Sequence, residues 1–355
     1  MALDVYSTTR LLMAVQGIDP AHSFLRDRYF PATAGSNFAS ESVLVEYRDG
    51  DMRLAPFVAP RKGGVTLTRE GEQMKSFMPA KVAPKRPISI DDITKRGFGE
   101  SIYGDLTPEQ RAQVLAVRDL TELDHAIPRR EEAMAAEVMT TNGCIMKAIG
   151  DDATNTIDSE IHFYDESTNP ATMTFTKKWG ASDATIIDDL ASMADALTSK
   201  GLPATDFVCS PDVAAAIINN AQVQKLLDIR RFEMGNVAPS FDDPSAATVA
   251  VLNIYGQMIN IISYNKTYTD DKGKVAQYIA KGTGVMTAPG AGTTLYGAVS
   301  QVEQADGEFH TYTGSRVPQY ISSAEGGVRT LALTARPLLV PVNKNPFISA
   351  TSLLA

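Results

Sequence analysis

The sequence predicts an α+β chain organised around one helical segment, and three observations carry that prediction. The longest periodic signal runs from Thr107 to Gly143, with apolar residues recurring at three- and four-residue steps. Before it, from Val43 to Phe77, the apolar period is two, and Asp49-Gly50 and Glu70-Gly71 mark tight turns. After it, hairpins mix with short helices and the sequence closes on strands containing proline. No repeat of solenoid or propeller length occurs.

The helical segment opens at Thr107-Pro108-Glu109-Gln110. These residues supply a threonine that can accept from the third backbone N–H, a proline where a missing N–H does no harm, and a glutamine three positions on. Val114, Val117, Leu120, Leu123 and Ile127 then form a stripe expected to be buried, with Arg111, Arg118, Asp119 and Glu122 between them. Pro128 lacks an N–H and biases Ile127 away from helix, so the pattern predicts two rods meeting there. The second rod runs from Arg129 through Met134 and Val138 to a left-handed stop at Asn142-Gly143.

Upstream, residues 1–40 hold a short amphipathic piece at Arg10–Met13 and the aromatics Phe24, Tyr29, Phe30 and Phe38. This arm is too small to fold alone and needs a surface to cover its rings, in the same chain or in a neighbour. Val43–Arg48 reads as a strand returning through Asp49-Gly50 as Met52–Val58, with further strands at Val65–Arg69 and Glu72–Phe77. So long a stretch with turns and few large apolar groups is expected to protrude. Pro79–Pro87 is expected to be stiff, extended and able to reach a neighbour, because each proline fixes its own φ.

Downstream, Cys144–Ala148 and Ser159–Phe163 read as a hairpin. Ser182-Asp183 caps a helix striped by Ile186, Ile187, Leu190, Met193 and Leu197. A buried strand Phe207–Cys209, a helix from Pro211 through Leu226, and strands Val249–Tyr255 and Met258–Tyr264 about Gly256 complete a compact α+β region. Another hairpin lies between Tyr264 and Ile279, Lys281–Thr294 reads as a mobile glycine-rich loop, and Val328–Leu333 and Arg336–Pro341 are strands, the latter at an edge because of its prolines.

Composition narrows the function. Of 355 residues 44% are hydrophobic, ample for a core, and the net charge of −9 lacks the footprint of a dedicated nucleic-acid binder. Cys144 and Cys209 are far apart with no metal-ligand spacing, as expected of reduced, buried thiols. There is no basic segment leading an apolar core and no run of about 18 apolar residues, so a soluble, unexported chain with no membrane partner is expected. Gly282-Thr283-Gly284 and Gly290-Ala291-Gly292 complete no phosphate-binding motif. His22, His125, His162 and His310 share no ligand spacing, and Asp151-Asp152, Asp188-Asp189, Asp242-Asp243 and Asp270-Asp271 suit turns and helix starts better than a cation. No catalytic residue, cofactor site or metal site is therefore assigned. A metal- or nucleotide-dependent α+β enzyme using the acidic pairs and the 282–294 loop is the competing class.

The order of these segments resembles a tailed-phage major capsid subunit. Thr8-Thr9-Arg10-Leu11-Leu12, Asp19-Pro20, Phe24–Phe30, the proline-spaced Phe77–Lys85, Arg336–Pro341 and Asn345-Pro346-Phe347 resemble the lambda-like major capsid protein E family. The resemblance implies a Hong Kong 97-type fold with an N-terminal arm (1–40), an extended β E-loop (41–105), a P-domain with the spine helix (106–180 and 285–355) and an A-domain (181–284). It also implies a structural, non-enzymatic subunit of the virion capsid, assembled in the host cytoplasm with itself into hexamers and pentamers around phage double-stranded DNA. A scaffold, a portal and a decoration protein are expected beside it. A cellular shell-forming compartment of the same fold is the alternative. Lys81, Lys85 and Arg86 on the reaching segment, and Phe24, Tyr29 and Phe30 in the arm, are the residues expected at contacts between subunits.

Overall fold

The structure, a computed structural model, describes residues 15, 23–33, 35–47, 73–95, 107–149, 156–164, 172–181, 183–228, 235–236, 240–243, 245–270, 273–304, 307–323 and 327–354. The motifs Thr8–Leu12 and Asp19-Pro20, and the turns at Asp49-Gly50 and Glu70-Gly71 with the strands between them, lie outside these residues.

One helix, Pro108–Thr141, runs unbroken for 34 residues, about 50 Å at 1.5 Å per residue. Its start is the predicted capping box, with Thr107 accepting from the Gln110 N–H and Gln110 accepting from the Thr107 N–H, and its stop is Asn142 at φ 58°. The two rods expected at Pro128 are corrected: the proline lies inside a single helix. Packing on both sides outweighs one lost backbone bond. Leu120, Leu123 and Ile127 join Val15, Leu331, Leu333 and Ala335 in an outer cluster, while Met134, Ala135, Val138 and Met139 enter the main core. The expected stripe is also corrected at its beginning, because Val114 and Val117 are 59% and 67% exposed.

The main core gathers the short helix Phe24–Tyr29, the antiparallel pair Gly143–Ile149 and Thr156–His162, and the buried strand Pro337–Pro341. Among the described residues that last strand pairs on one side only, with Gly292–Tyr296, so it is the edge its prolines suggest, but a wholly buried one. The Lys281–Thr294 stretch is corrected from a mobile loop to two buried strands, Gly284–Thr287 and the start of Gly292–Tyr296. A Cβ on Gly284 would stand 2.2 Å from the Phe207 ring, and one on Gly292 2.2 Å from the Phe30 ring. These glycines admit aromatic rings against the backbone, a need that composition alone reads as flexibility.

An eight-stranded sheet occupies the other half of the molecule. Its order is Thr172–Met173, Ile348–Ala350, Gly284–Thr287, Asp206–Cys209, Gln257–Tyr264, Ala246–Ile254 and Gly235–Asn236, with Ser240–Asp243 also paired to Ala246–Ile254. The sheet therefore takes in strands from outside 181–284. Its core packs Ile186, Leu190 and Leu197 of helix Ile186–Thr198 against Trp179, Phe207, Ile261 and Ile348. Thr185 stands at the N-cap position of that helix without a side-chain cap, Ser182 lies outside the described residues, and Asp189 accepts from the Trp179 indole at 2.8 Å. The predicted helix from Pro211 is two, Pro211–Asn219 and Ala221–Asp228, divided at Asn220. Tyr255 and Gly256, both at positive φ, make the tight turn between the two longest strands.

At the outer end a three-stranded sheet joins Val317–Ser323, Val328–Thr334 and Lys85–Ser89. The Pro79–Pro87 segment is corrected accordingly. Val82 bridges Ala335, and Lys85–Ser89 is an edge strand of the chain's own sheet, with Pro87 at an edge where its missing donor is tolerated. Val43–Tyr47 pairs with Gln73–Phe77, so the described base of the excursion is a two-stranded ribbon.

Candidate functional site

The arm, the long helix, the eight-stranded sheet and the closing strands meet at a buried polar junction. The helix Phe24–Tyr29 has no side-chain cap from Ser23. Its free N–H groups are instead met from the long helix: Glu132 accepts from Leu25 N and Arg26 N, both at 2.9 Å, and from the Tyr264 hydroxyl at 2.5 Å. Glu131, also fully buried, accepts from Arg26 at 2.7 Å, from Arg316 at 3.0 Å and from Tyr296 at 3.2 Å. Arg316 reaches Asp124 as well, at 3.2 Å. On the sheet side Asp206 accepts from Arg28 at 2.7 Å, Tyr29 at 3.0 Å and Asn260 at 2.9 Å.

Glu131, Glu132 and Asp206 each accept from several donors, the condition under which ions persist in an interior. Burial raises the Glu132 carboxyl above its ordinary value against the pull of these hydrogen bonds. Burial also raises the Tyr29 phenol, with Asp206 adding to it, and takes Tyr296 up to about 12, helped by Glu131. The Arg26 guanidinium is opposed by burial, yet Glu131 and Asp27 hold it firmly charged. The junction is a lock that ties the arm helix, the long helix, the sheet and Arg316 together. Cys144 and Cys209 are free, buried thiols raised by burial, far from the thiolate state that nucleophilic chemistry needs.

The residues expected at subunit contacts divide. Phe24, Tyr29 and Phe30 are corrected: they are buried in the chain's own core. Phe24 stacks on Tyr264 with centroids 5.7 Å apart, and Phe30 stacks on Phe347 at 5.2 Å. The arm could be covered by its own chain or by a neighbour, and for these rings its own chain does it. Arg86, its side chain 44% exposed, already bonds Asp119 at 2.9 Å and Glu122 at 2.5 Å on the long helix of the same chain. Lys81 and Lys85 are exposed and form no ion pair with a described residue.

Sequence reading passes over Glu131 and Glu132, which follow Arg129-Arg130 and look like a solvated charged run. The signal lies in the spacing. Glu131 stands four residues after Ile127 and seven before Val138, on the buried stripe, and an acid on an apolar face asks for a cation or a donor set. Among the described residues no group of three or more His, Cys, Asp or Glu is placed to hold a metal ion, and no helix is long and apolar enough to cross a membrane.

A long helix laid across a strand-rich chain, a ribbon excursion before it and a separate mixed sheet define the Hong Kong 97-like class of capsid subunits. The solved structure of a capsid protein from a prophage of Escherichia coli CFT073 has this fold, with a TM-score of 0.65 over 100% of both chains at 16% identity. The chain belongs to the phage major capsid protein E family, whose pattern it matches over residues 7–352. It is 22% identical over 362 residues to the major capsid protein of Enterobacteria phage P21, covering 98% of each. It is 21% identical over 356 residues to that of Escherichia phage lambda, covering 98% of this chain and 99% of the relative. Its role is that of a shell-forming structural subunit.

Proposed function

We propose that this chain builds the wall of an icosahedral phage head, assembling with itself into hexamers and pentamers around double-stranded DNA in the host cytoplasm. The observation that carries the reading is the contrast between the arm residues Phe24–Phe30, locked inward, and the described base of the ribbon, one face of which stands exposed. Val43 and Val45 on one face of the Val43–Tyr47/Gln73–Phe77 ribbon are buried in the main core, whereas Leu44, Met74 and Met78 stand exposed. A two-stranded ribbon is marginal alone, so an adjacent subunit completes it. The division into arm 1–40, E-loop 41–105, P-domain 106–180 with 285–355, and A-domain 181–284 is the frame of this reading, with Ile348–Ala350 lent to the axial sheet.

Expression of the chain, alone or with a scaffolding partner, followed by light scattering and electron microscopy, tests the proposal. Closed particles or hexamer-sized oligomers are the expected result. A monomer that stays monodisperse under all assembly conditions overturns it. A decoration protein over the outer face and a portal at one vertex belong to the same proposal, and mass analysis of purified heads that finds no second abundant outer protein removes the former.

A further inference from the structure

We infer that Arg316 is a clasp across the proline of the long helix, and that the waist it closes is a hinge between the outer lobe and the inner core. Pro128 brings no N–H to the helix, so the Asp124 carbonyl, four residues earlier, receives no helical donor. The same residue is held through its side chain instead. Arg316 Nε donates to Asp124 at 3.2 Å, and its two Nη groups fork onto Glu131, three residues beyond the proline, at 3.0 and 3.3 Å. One guanidinium thus joins the turn before the break to the turn after it, and a bond to the Ser315 carbonyl at 3.0 Å steadies it.

The packing leaves a gap at the same place. The outer apolar cluster takes Leu120, Leu123 and Ile127 from the helix, the main core takes Met134, Ala135, Val138 and Met139, and residues 128–132 enter neither. Each core can therefore stay intact while the polar segment between them bends, and a proline inside a helix is a usual place for such a bend.

Arg316 directly precedes the strand Val317–Ser323 of the outer sheet, while Glu131 is held from the inner side by Arg26 and Tyr296. The clasp accordingly ties the root of the outer sheet to the inner core through the helix. Its side chain is only 11% exposed and both acids are buried, so these charge-assisted bonds are shielded from water. A lysine would bring the charge without the planar fork that reaches both acids. A shell of hexamers and pentamers holds one chain at two angles, and this waist is where a subunit takes up the difference. That use rests on the shell reading, whereas the clasp itself does not.

Hydrogen exchange of the unassembled subunit, read on peptides covering residues 124–132, tests the clasp in two backgrounds. Arg316→Lys should speed exchange there about tenfold or more and leave peptides from the two cores unchanged. In Pro128→Ala, where the helix regains its backbone donor, adding Arg316→Lys should speed exchange less than about threefold. Equal acceleration in both backgrounds makes Arg316 a counter-ion for buried acids and nothing more, which overturns the clasp. No acceleration, or one spread over the whole subunit, overturns it as well. Should Arg316→Lys fail to fold, Asp124→Asn keeps an acceptor oxygen and is the milder variant, with the same dependence on Pro128 expected and the same outcomes counting against it. Failure in the unassembled subunit leaves the shell reading standing. Heads built from Arg316→Lys should lose their single diameter; uniform heads of wild-type size remove the hinge's use in the shell and leave the clasp, whereas a wild-type chain that never forms particles overturns the shell reading itself.

Discussion

Between Ile127 and Thr141 the long helix is enclosed on most of its surface and even its acids Glu131 and Glu132 are fully buried, whereas between Pro108 and Arg118 the same helix turns Val114 and Val117 to solvent. Both halves carry an apolar repeat of helical spacing. The difference lies in what the rest of the chain brings to them. The inner half receives the arm helix, the Gly143–His162 hairpin and the closing strands, while the outer half receives one small sheet and the short helix Ile90–Thr94. Periodicity states which face of a helix is apolar; it does not state whether the cover belongs to the same chain.

The sharpest way to break this comparison is to remove the acid that joins the inner half to the arm. Glu131→Ala leaves Arg26 and Arg316 buried with their shared partner gone, and a loss of about 3–5 kcal/mol is expected in urea unfolding of the subunit. A loss under about 1 kcal/mol would mean that the junction is not what fastens the arm. Next come apolar truncations on the two halves. Ile127→Ala should cost about 2–4 kcal/mol, because the side chain is fully buried, while Val117→Ser should stay within about 0.5 kcal/mol in the unassembled subunit. Similar losses at both positions would show that Val117 is covered within its own chain.

A smaller effect follows from the raised Glu132 carboxyl, whose first cause is burial. The folded subunit binds this proton more readily than the unfolded chain. Stability linked to it is fully present below the ordinary glutamate range, about pH 4.3, and is lost as pH rises through the raised folded value. Glu132→Gln cannot titrate, so the advantage of wild type over the variant should narrow as pH rises across that window, by about 1.4 kcal/mol for each pH unit that separates the folded from the unfolded value. Urea midpoints of the two proteins that run parallel from about pH 4 to 8 would refute it. The least effect is expected on the outer half. Arg86→Glu sets a third carboxylate beside Asp119 and Glu122 and should destabilise the subunit by about 1 kcal/mol or less, more at low salt, while Lys85→Glu leaves its melting unchanged. Equal effects from the two substitutions would erase the distinction between a cation paired within the subunit and one that is not.

How far the sequence could be read follows from the range of each interaction. The capping box at Thr107, the left-handed stop at Asn142, the hairpin about Gly256 and the stripe Ile186–Leu197 were legible because they are settled by a few neighbouring residues. The order of segments was enough to place the chain among phage capsid subunits. Distant partners decided the rest. Pro128 stays helical because two cores grip the helix on either side of it, Gly284 and Gly292 are strand residues because Phe207 and Phe30 lie across them, and Arg86 pairs within its own subunit because Asp119 and Glu122 stand within reach on a helix more than thirty residues along the chain. The arm aromatics show the same limit: their need for cover was written in the sequence, but the choice of Tyr264, Asp206 and Phe347 as that cover exists only once the sheet and the closing strands have come together, because packing is a property of what is near in space.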